Sequence, residues 1–266
     1  MNLEQYLARI KFEGPIKADL DCLNAIHYQH LLHIPYENID VQLRRPLDFD
    51  IDRIFDKVVI QNRGGWCYEM NGLLCWALKE CGFDVMRMVG AVGRKTDGEE
   101  TLGNHLVLTV QLEQAYLVDV GLGDGLLTPI PLQAGKYTQG YRTFELEALG
   151  DNEWRFHNAP GTLPPDFDFT FGPANEDVLQ DTCKHLQSDP GSMFRQNLIV
   201  QRLLPNGIHF LLGRVFFHRT AAGMEKTLLN SAAELSETLE NKFGLKIPEI
   251  HKIWPNILAR HEELFG

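Results

Sequence analysis

The sequence of 266 residues predicts an α+β fold, because helical and strand patterns follow one another in blocks and do not alternate as βαβ units. Apolar residues recur at helical spacing over the first 83 residues, and short β-branched runs begin at Asp84. Beyond residue 190, both patterns occur. We therefore expect three segments: a helical one over 1–83, a β-rich one over 84–190 and an α/β one over 191–266.

Three stretches of the first segment have the spacing of helices. The first runs from about Leu20 and is ended by Pro35. The second is IDRIFDKVVIQN. The third, WCYEMNGLLCWALKECGF, follows two glycines and ends at Gly82, a residue type that favours the left-handed conformation found after helices.

Strand patterns dominate the rest of the chain. The predicted strands lie in DVMRMVGAVGR, HLVLTVQLE, AYLVDVGLG, FELEAL and EWRFHN, and later in NLIVQRLLP, IHFLLGRVFFHR and EKTLLN. The stretch from Asp166 to Asp189 is polar and mixed, and yields no clear element. Ser231 is predicted to cap a helix that ends at Gly244, and a last helical stretch is interrupted by Pro255.

The composition is that of a globular protein, with 44% hydrophobic and 23% charged residues. A net charge of −11 excludes a broad nucleic-acid surface, but a few local donors can still hold a small anionic ligand. The N-terminus lacks a signal-peptide pattern, and no apolar run reaches the ~18 residues of a membrane span. A cytoplasmic protein without nucleic-acid or membrane partners is expected.

The five cysteines differ in their surroundings. Their number is odd and no CxxC occurs, so neither a disulfide framework nor a zinc knuckle is predicted. Cys67 follows two glycines and begins a predicted helix, where unpaired N–H groups and the helix dipole favour a thiolate and can hold an oxyanion. Arg63 adds positive charge nearby. A structural role for Cys67 is the alternative; packing or incidental roles are expected for the other four, Cys22, Cys75, Cys81 and Cys183.

A base for the thiolate is suggested by His105 at the start of one strand and Asp119 in an otherwise apolar run of the next. Such a carboxylate can fix the imidazole tautomer while the imidazole takes the thiol proton. The two side chains share a face if the connecting loop has an odd number of residues, which the sequence leaves open. Solvated or capping roles are expected for the histidines near the chain ends, His27, His30, His33, His251 and His261.

Four separated motifs together resemble the arylamine N-acetyltransferase family. They are Pro35-Tyr36-Glu37-Asn38, Arg63-Gly64-Gly65-Trp66-Cys67-Tyr68-Glu69-Met70-Asn71-Gly72, His105-Leu106-Val107-Leu108 and Val118-Asp119-Val120-Gly121-Leu122-Gly123. The resemblance implies an N-terminal helical bundle, a central β-barrel-like domain and a C-terminal α/β lid around a catalytic core like that of cysteine proteases and transglutaminases.

The resemblance also implies the chemistry. Cys67, His105 and Asp119 correspond to the catalytic Cys, His and Asp of the family, and acetyl-CoA is the acetyl donor. Cys67 would be acetylated first, in a ping-pong cycle that needs no metal. An arylamine or arylhydrazine would then take the acetyl group on nitrogen, and an N-hydroxyarylamine on oxygen.

Further positions take expected roles from the same resemblance. Tyr36 and Leu122 each stand where the family usually has Phe beside the acceptor, which predicts a roomier or less aromatic pocket. The residues expected near coenzyme A are Thr101, Gly103, Gly121 and Gly123.

Charged and polar neighbours complete the predicted site. Glu37 and Arg63 are expected to form an ion pair that positions the Cys67 loop, with Glu69 and Asn71 as structural polar residues of the helix. Arg94, Lys95 and Arg219 are candidates to hold the phosphates of coenzyme A, with solvated surface charge as the alternative.

Three other functions compete with this one. A cysteine hydrolase or transglutaminase-like enzyme could use the same three residues on amides, and some members of the family are amide synthases. A non-catalytic binding protein is disfavoured by the complete Cys-His-Asp set. The sequence does not indicate the oligomeric state.

Overall fold

Residues 1–265, which the computed structural model describes, form ten α-helices and thirteen β-strands. The helices are α1 (Leu3–Arg9), α2 (Leu20–His33), α3 (Ile39–Gln42), α4 (Ile51–Phe55), α5 (Cys67–Glu80), α6 (Arg94–Asp97), α7 (Glu176–Ser188), α8 (Met193–Gln196), α9 (Ala232–Thr238) and α10 (Trp254–Phe265). Helix α4 continues as a π-helical turn over Asp56–Ile60, and α9 as another over Leu239–Phe243.

The strands form two antiparallel sheets. They are β1 (Tyr36–Glu37), β2 (Asp84–Val92), β3 (His105–Gln111), β4 (Ala115–Val118), β5 (Ile130–Pro131), β6 (Gly135–Gln139), β7 (Arg142–Gly150), β8 (Glu153–His157), β9 (Asp166–Thr170), β10 (Ile199–Leu204), β11 (Gly207–Leu212), β12 (Val215–Thr220) and β13 (Gly223–Leu228).

The larger sheet has eight strands in the order β5-β4-β3-β2-β9-β8-β7-β6 and curls into a nearly closed barrel. Its two edges approach each other where the Gln139 side chain on β6 accepts the backbone N–H groups of Leu127 and Thr128, just before β5. An apolar cluster that includes Phe144, Phe156 and Phe167 fills its interior. The expected β-barrel-like centre is confirmed.

The smaller sheet has five strands in the order β1-β10-β11-β12-β13. Strand β1 comes from the N-terminal segment and pairs with β10, so Tyr36 lies opposite Gln201. One face of this sheet packs on α9 and the following turns around Leu235, Leu239 and Phe243. Strand β1 thus joins the first predicted segment to the third. The limits of the three predicted domains stay a prediction.

The structure adds to or corrects the sequence analysis at three places. The polar stretch after Asp166 contains both β9 and α7. The inward side chains of α7, Leu179 and Cys183, are four residues apart and form a narrow apolar stripe on that helix. The run IHFLLGRVFFHR forms two strands joined at Gly213. Pro255 does not interrupt the last helix; it lies in the first turn of α10, where its missing N–H costs nothing.

No helix within residues 1–265 combines the length and the apolar character needed to cross a bilayer.

Asn38 links the N-terminal segment to the third segment. Its buried side-chain amide donates to the carbonyl oxygens of Phe194 and Asn197, and its oxygen accepts from the Ile199 N–H. Asn38→Ala would leave these buried groups unpaired, so we expect a loss of about 3 kcal/mol in the free energy of unfolding, measured by urea titration. The control is Asn241→Ala at an exposed position; equal midpoints for the two variants would contradict this assignment.

Candidate active site

Cys67 is the first residue of helix α5 and is 3% exposed. Its thiol faces the Asn104 carbonyl oxygen at 3.8 Å. The Glu69 carboxylate accepts the backbone N–H of Trp66 at 3.2 Å and so caps the helix immediately before Cys67. The N–H groups of the first turn have no partner within the helix, and their dipoles favour negative charge on the sulfur.

His105 begins β3, and its Nε2 lies 2.7 Å from Oδ2 of Asp119. Strands β3 and β4 pair with Leu108 opposite Val118, so the loop between them has three residues, Leu112–Gln114. This odd number puts His105 and Asp119 on one face, as the sequence argument required. Asp119 directly follows β4, and both side chains are 2% exposed.

The Asp119 carboxylate has two further donors. Oδ1 accepts the side-chain amide of Asn71 at 2.8 Å and the backbone N–H of Gly121 at 2.7 Å. Asn71 also donates to the Leu106 carbonyl and accepts from the Val120 N–H. Asn71 therefore does more than the structural helix role expected for it: lying one helical turn after Cys67, it joins the helix to both strands of the hairpin.

These contacts control the protonation of the pair. Burial alone would lower the pKa of His105, but the charge of Asp119 and its hydrogen bond outweigh burial and raise that pKa to about 10. Burial opposes ionisation of Asp119 in turn, yet the interaction with His105 holds the pKa of the carboxyl below its usual value. Asp119 thus makes His105 a stronger base.

The thiol depends on this base. Burial raises the pKa of Cys67, while its interaction with His105 acts in the opposite direction. Because Nε2 of His105 faces Asp119, Nδ1 is the ring nitrogen left to take a proton from the thiol. The arrangement can generate a nucleophilic sulfur inside a buried site.

A cluster of buried charges lies beside the Cys67 loop. The predicted ion pair is present: Arg63 donates to Oε1 of Glu37 through Nε at 2.9 Å and Nη2 at 2.7 Å. Arg63 also contacts Asp40, and Lys57 bridges Asp40 and Glu69 at 2.8–2.9 Å. Although burial opposes ionisation of Asp40, the charges of Lys57 and Arg63 lower its pKa to about 2. That this cluster positions Cys67 stays a prediction.

The two predicted acceptor residues pack in different apolar clusters. Tyr36 is buried, and its backbone pairs with Gly65, two residues before Cys67. Leu122 is also buried and packs in the apolar cluster of the barrel with Met88 and Val107. Their contact with an acceptor and the predicted pocket width stay predictions.

The glycines expected near coenzyme A pack tightly against the protein itself. A Cβ on Gly121 would lie 2.8 Å from the Cys67 Cα, and one on Gly123, whose φ is +80°, would lie 1.6 Å from Oε1 of Gln201. A Cβ on Gly103 would meet Val178 on α7. Close packing therefore requires glycine at these positions independently of any ligand.

The other residues predicted to contact coenzyme A differ in their burial and in their partners. The hydroxyl of the buried Thr101 donates to the Gly98 carbonyl. Arg94 pairs with Glu99 and Glu153, and Arg219 pairs with the buried Asp124. Lys95 is exposed. Two of the three candidate cations are thus already matched by carboxylates, and contact of any of these residues with coenzyme A stays a prediction.

The expectation for His27 and His30 was wrong, because both are completely buried. The ring nitrogens of His27 lie 3.1 Å from the carbonyl oxygens of Asp119 and Leu127, so this side chain braces the loop behind the carboxylate. Burial lowers the pKa of His27 to about 4, which keeps the ring neutral. Leu23, which lies one helical turn before His27, and Ile26 are also fully buried. This helical spacing in the sequence could have indicated that His27 faces inward.

Comparisons with known proteins agree over most of the chain. A family model described as N-acetyltransferase matches residues 19–252. The chain belongs to the arylamine N-acetyltransferase family. It is 36% identical to an arylamine N-acetyltransferase of Mycolicibacterium smegmatis, with 94% of each chain covered, and 31% identical to the liver isozyme of Gallus gallus, with 92% of this chain and 96% of the relative covered.

Solved structures of arylamine N-acetyltransferases share the fold. A Mycobacterium smegmatis structure matches with a TM-score of 0.88 at 31% identity, covering 97% of this chain and 98% of the other. The Mycobacterium marinum enzyme, solved in complex with CoA, matches with a TM-score of 0.86 at 27% identity, covering 98% and 99%. The chain is therefore an acyltransferase with the architecture of this family.

The charge cluster of this acyltransferase gives a first prediction about the site. Glu37→Gln keeps the side-chain shape but removes the charge that faces Arg63, leaving a buried cation less well paired. We expect the free energy of unfolding to fall by about 3 kcal/mol, or the acetylation of Cys67 to slow. Urea titration and the rate of coenzyme A release measure the two effects. Glu225→Gln, at an exposed position, is the control; if Glu37→Gln behaves like wild type in both assays, the positioning role is wrong.

The His105–Asp119 contact gives a second prediction. In Asp119→Asn, burial acts on the imidazole without the opposing charge, so the pKa of His105 should fall from about 10 to below its ordinary value. NMR titration of the histidine ring resonances measures this pKa, with His105→Gln identifying the signal. An unchanged pKa would contradict the assignment.

The same contact has a consequence for stability. Because the folded-state pKa of His105 is raised, its protonation stabilises the fold fully below about pH 6.5, and this contribution is lost as the pH rises through about 10. The stability advantage of the wild type over Asp119→Asn should therefore shrink across that interval.

Proposed function

We propose that this chain transfers the acetyl group of acetyl-CoA to the nitrogen of arylamines and arylhydrazines, and to the oxygen of N-hydroxyarylamines. The proposed route is a ping-pong cycle through acetyl-Cys67. The five cysteines, all of them free thiols, fit a reducing compartment such as the cytoplasm.

One observation carries the proposal: the buried series Cys67, His105 and Asp119 at the start of α5, in a chain of this family. His105 lies beside the thiol and is held by Asp119 at 2.7 Å, and Asn71 and Gly121 hold the carboxylate. A nucleophile, a base and an orienting carboxylate are the three groups that acyl transfer through a covalent intermediate requires.

In the first half-reaction, His105 accepts the thiol proton of Cys67 as the sulfur attacks the thioester carbonyl. The N–H groups of the first turn of α5 face the oxyanion that develops there. The bond from the acetyl carbon to the sulfur of coenzyme A then breaks, and His105 returns the proton to that sulfur. One thioester replaces another, so the step is nearly balanced in energy.

In the second half-reaction, the amine nitrogen attacks the acetyl carbon of acetyl-Cys67. The bond from that carbon to the Cys67 sulfur breaks, and His105 conveys the proton lost by the nitrogen to the sulfur. A weakly basic aromatic amine is neutral near pH 7, so its lone pair is available without prior loss of a proton. The thiol of Cys67 is thereby restored.

The residues of the site fit an acyl thioester. The sulfur lies at a helix N-terminus, beside a base and away from bulk water, which suits attack on a neutral carbonyl. The CoA complex of the Mycobacterium marinum relative supports coenzyme A as the donor's leaving group.

Intact-mass measurement after mixing with acetyl-CoA tests the covalent step. We expect one acetyl group per chain, located on Cys67 by peptide mapping and discharged by an arylamine. Cys67→Ala should remain unmodified, because it lacks the nucleophile. The matched control is Cys75→Ala, which removes another buried thiol of the same helix and should still be acetylated.

The same experiment separates the competing functions. Loss of the acetyl group to water, or hydrolysis of amides without acetyl-CoA, would favour a cysteine hydrolase. Acylation of Cys67 by a longer acyl thioester, followed by attack of that acyl chain's own amine on its thioester carbon and release of the Cys67 sulfur, with simple arylamines inactive, would favour an amide synthase. Absence of acetyl-Cys67 under all conditions would overturn the proposed route.

A further inference from the structure

A fully buried histidine of α2 contacts both ends of the segment that follows β4. Nε2 of His27 lies 3.1 Å from the carbonyl oxygen of Asp119, and Nδ1 lies 3.1 Å from the carbonyl oxygen of Leu127. Between these two carbonyls lies Gly121, whose Cα has no room for a side chain because it packs on the Cα of Cys67. His27 thus spans the segment that carries the carboxylate of the site.

The two contacts of the His27 ring cannot both be hydrogen bonds. Burial lowers the pKa of His27 to about 4, so near pH 7 the ring is neutral and only one of its nitrogens carries a proton. Within residues 1–265, no other protein group donates to the carbonyl oxygen of the buried Asp119, whereas the contact with the half-buried Leu127 is only partly shielded from water. Because a buried carbonyl without a donor is costly, the proton belongs on Nε2, which faces Asp119.

This hydrogen bond acts on the backbone of the residue that orients the base. The Asp119 carboxylate is held by Asn71 and Gly121 at Oδ1 and faces Nε2 of His105 at 2.7 Å through Oδ2. The carbonyl and the carboxylate belong to one residue, so a donor on the carbonyl limits where the carboxylate can lie. His27 supplies this donor from α2, an element that contributes no other contact to Asp119 among those described above.

We propose that His27 is a positioning residue for the acetylation of Cys67, and that its Nε2–H group holds the Asp119 backbone where the carboxylate can orient His105. The inference rests on the proposed acetyl transfer and adds a residue to that site beyond the nucleophile, the base and the carboxylate. Both ring contacts of His27 are with main-chain carbonyl oxygens, so His27 acts on the reaction through Asp119.

Substitution of His27 by glutamine and by asparagine separates the two ring contacts. The amide nitrogen of glutamine can replace Nε2 of histidine, and the shorter asparagine can replace only Nδ1. We expect His27→Gln to release coenzyme A in the first half-reaction near the wild-type rate. His27→Asn and His27→Leu should be slower by roughly tenfold or more, because small displacements of a catalytic group have effects of this order. The single-turnover rate constant for acetyl-enzyme formation does not depend on the amount of folded protein.

His30→Leu is the matched control for His27→Leu. His30 is a completely buried histidine of the same helix, and its Nδ1 lies 2.9 Å from the hydroxyl of Tyr6 on α1. This variant should lose stability but acetylate Cys67 near the wild-type rate. The pKa of His105, measured by NMR titration, should fall below about 10 in His27→Leu, because the carboxylate faces the ring less closely, and should stay unchanged in His30→Leu.

The tautomer of His27 tests the assignment in the unaltered protein. Nitrogen NMR shifts of the ring distinguish a proton on Nε2 from one on Nδ1, and a proton on Nδ1 would overturn the inference. Equal rates for His27→Gln and His27→Asn, a wild-type rate for His27→Leu, or an equal slowing in His30→Leu would also overturn it. Absence of acetyl-enzyme in the wild type would overturn the proposed function. The tautomer and the pKa of His105, both measured without acetyl-CoA, would then decide separately whether His27 positions Asp119.

Discussion

The buried carboxylate of Asp119 is the constraint on which the rest of the site depends. An ionised carboxylate removed from water costs several kcal/mol unless hydrogen bonds and an opposite charge compensate. Here three donors do so: His105 from β3, Asn71 from α5 and the N–H of Gly121 from its own loop. These donors come from three parts of the chain, so satisfying one carboxylate fixes the helix, the strand and the loop relative to one another. The position of Cys67 against its base follows from this.

A second set of buried charges lies beside the loop that leads into Cys67. Lys57 and Arg63 share three carboxylates, those of Glu37, Asp40 and Glu69, which come from different elements. Removing a member would leave its neighbours with fewer opposite charges in the interior, which is more costly than losing a surface pair. Glu69 serves twice, since it also caps α5 at Trp66. Glu69 thus connects the N-terminus of α5 to the network of ion pairs.

The sequence could predict the parts of this site that local pattern determines. The start of α5 after two glycines, its end near Gly82 and the strand at His105 depend on spacing within short windows. The shared face of His105 and Asp119 needed only the parity of one loop. By contrast, the packing of Gln201 on Gly123 and the bracing of the Asp119 loop by His27 join residues far apart in the chain. Neither strand periodicity nor helix caps carry information about which distant elements meet.

Strand β1 places two neighbouring side chains in different surroundings. Successive side chains of a strand point to opposite sides. Glu37 therefore enters the charge cluster beside the Cys67 loop, while Tyr36 turns the other way and lies beside Gln201. The backbone between them is held by pairing to Gly65 on one side and to β10 on the other. A change of side chain at position 36 therefore acts on the face of the sheet that carries Gln201 and leaves the ion pairs of Glu37 in place.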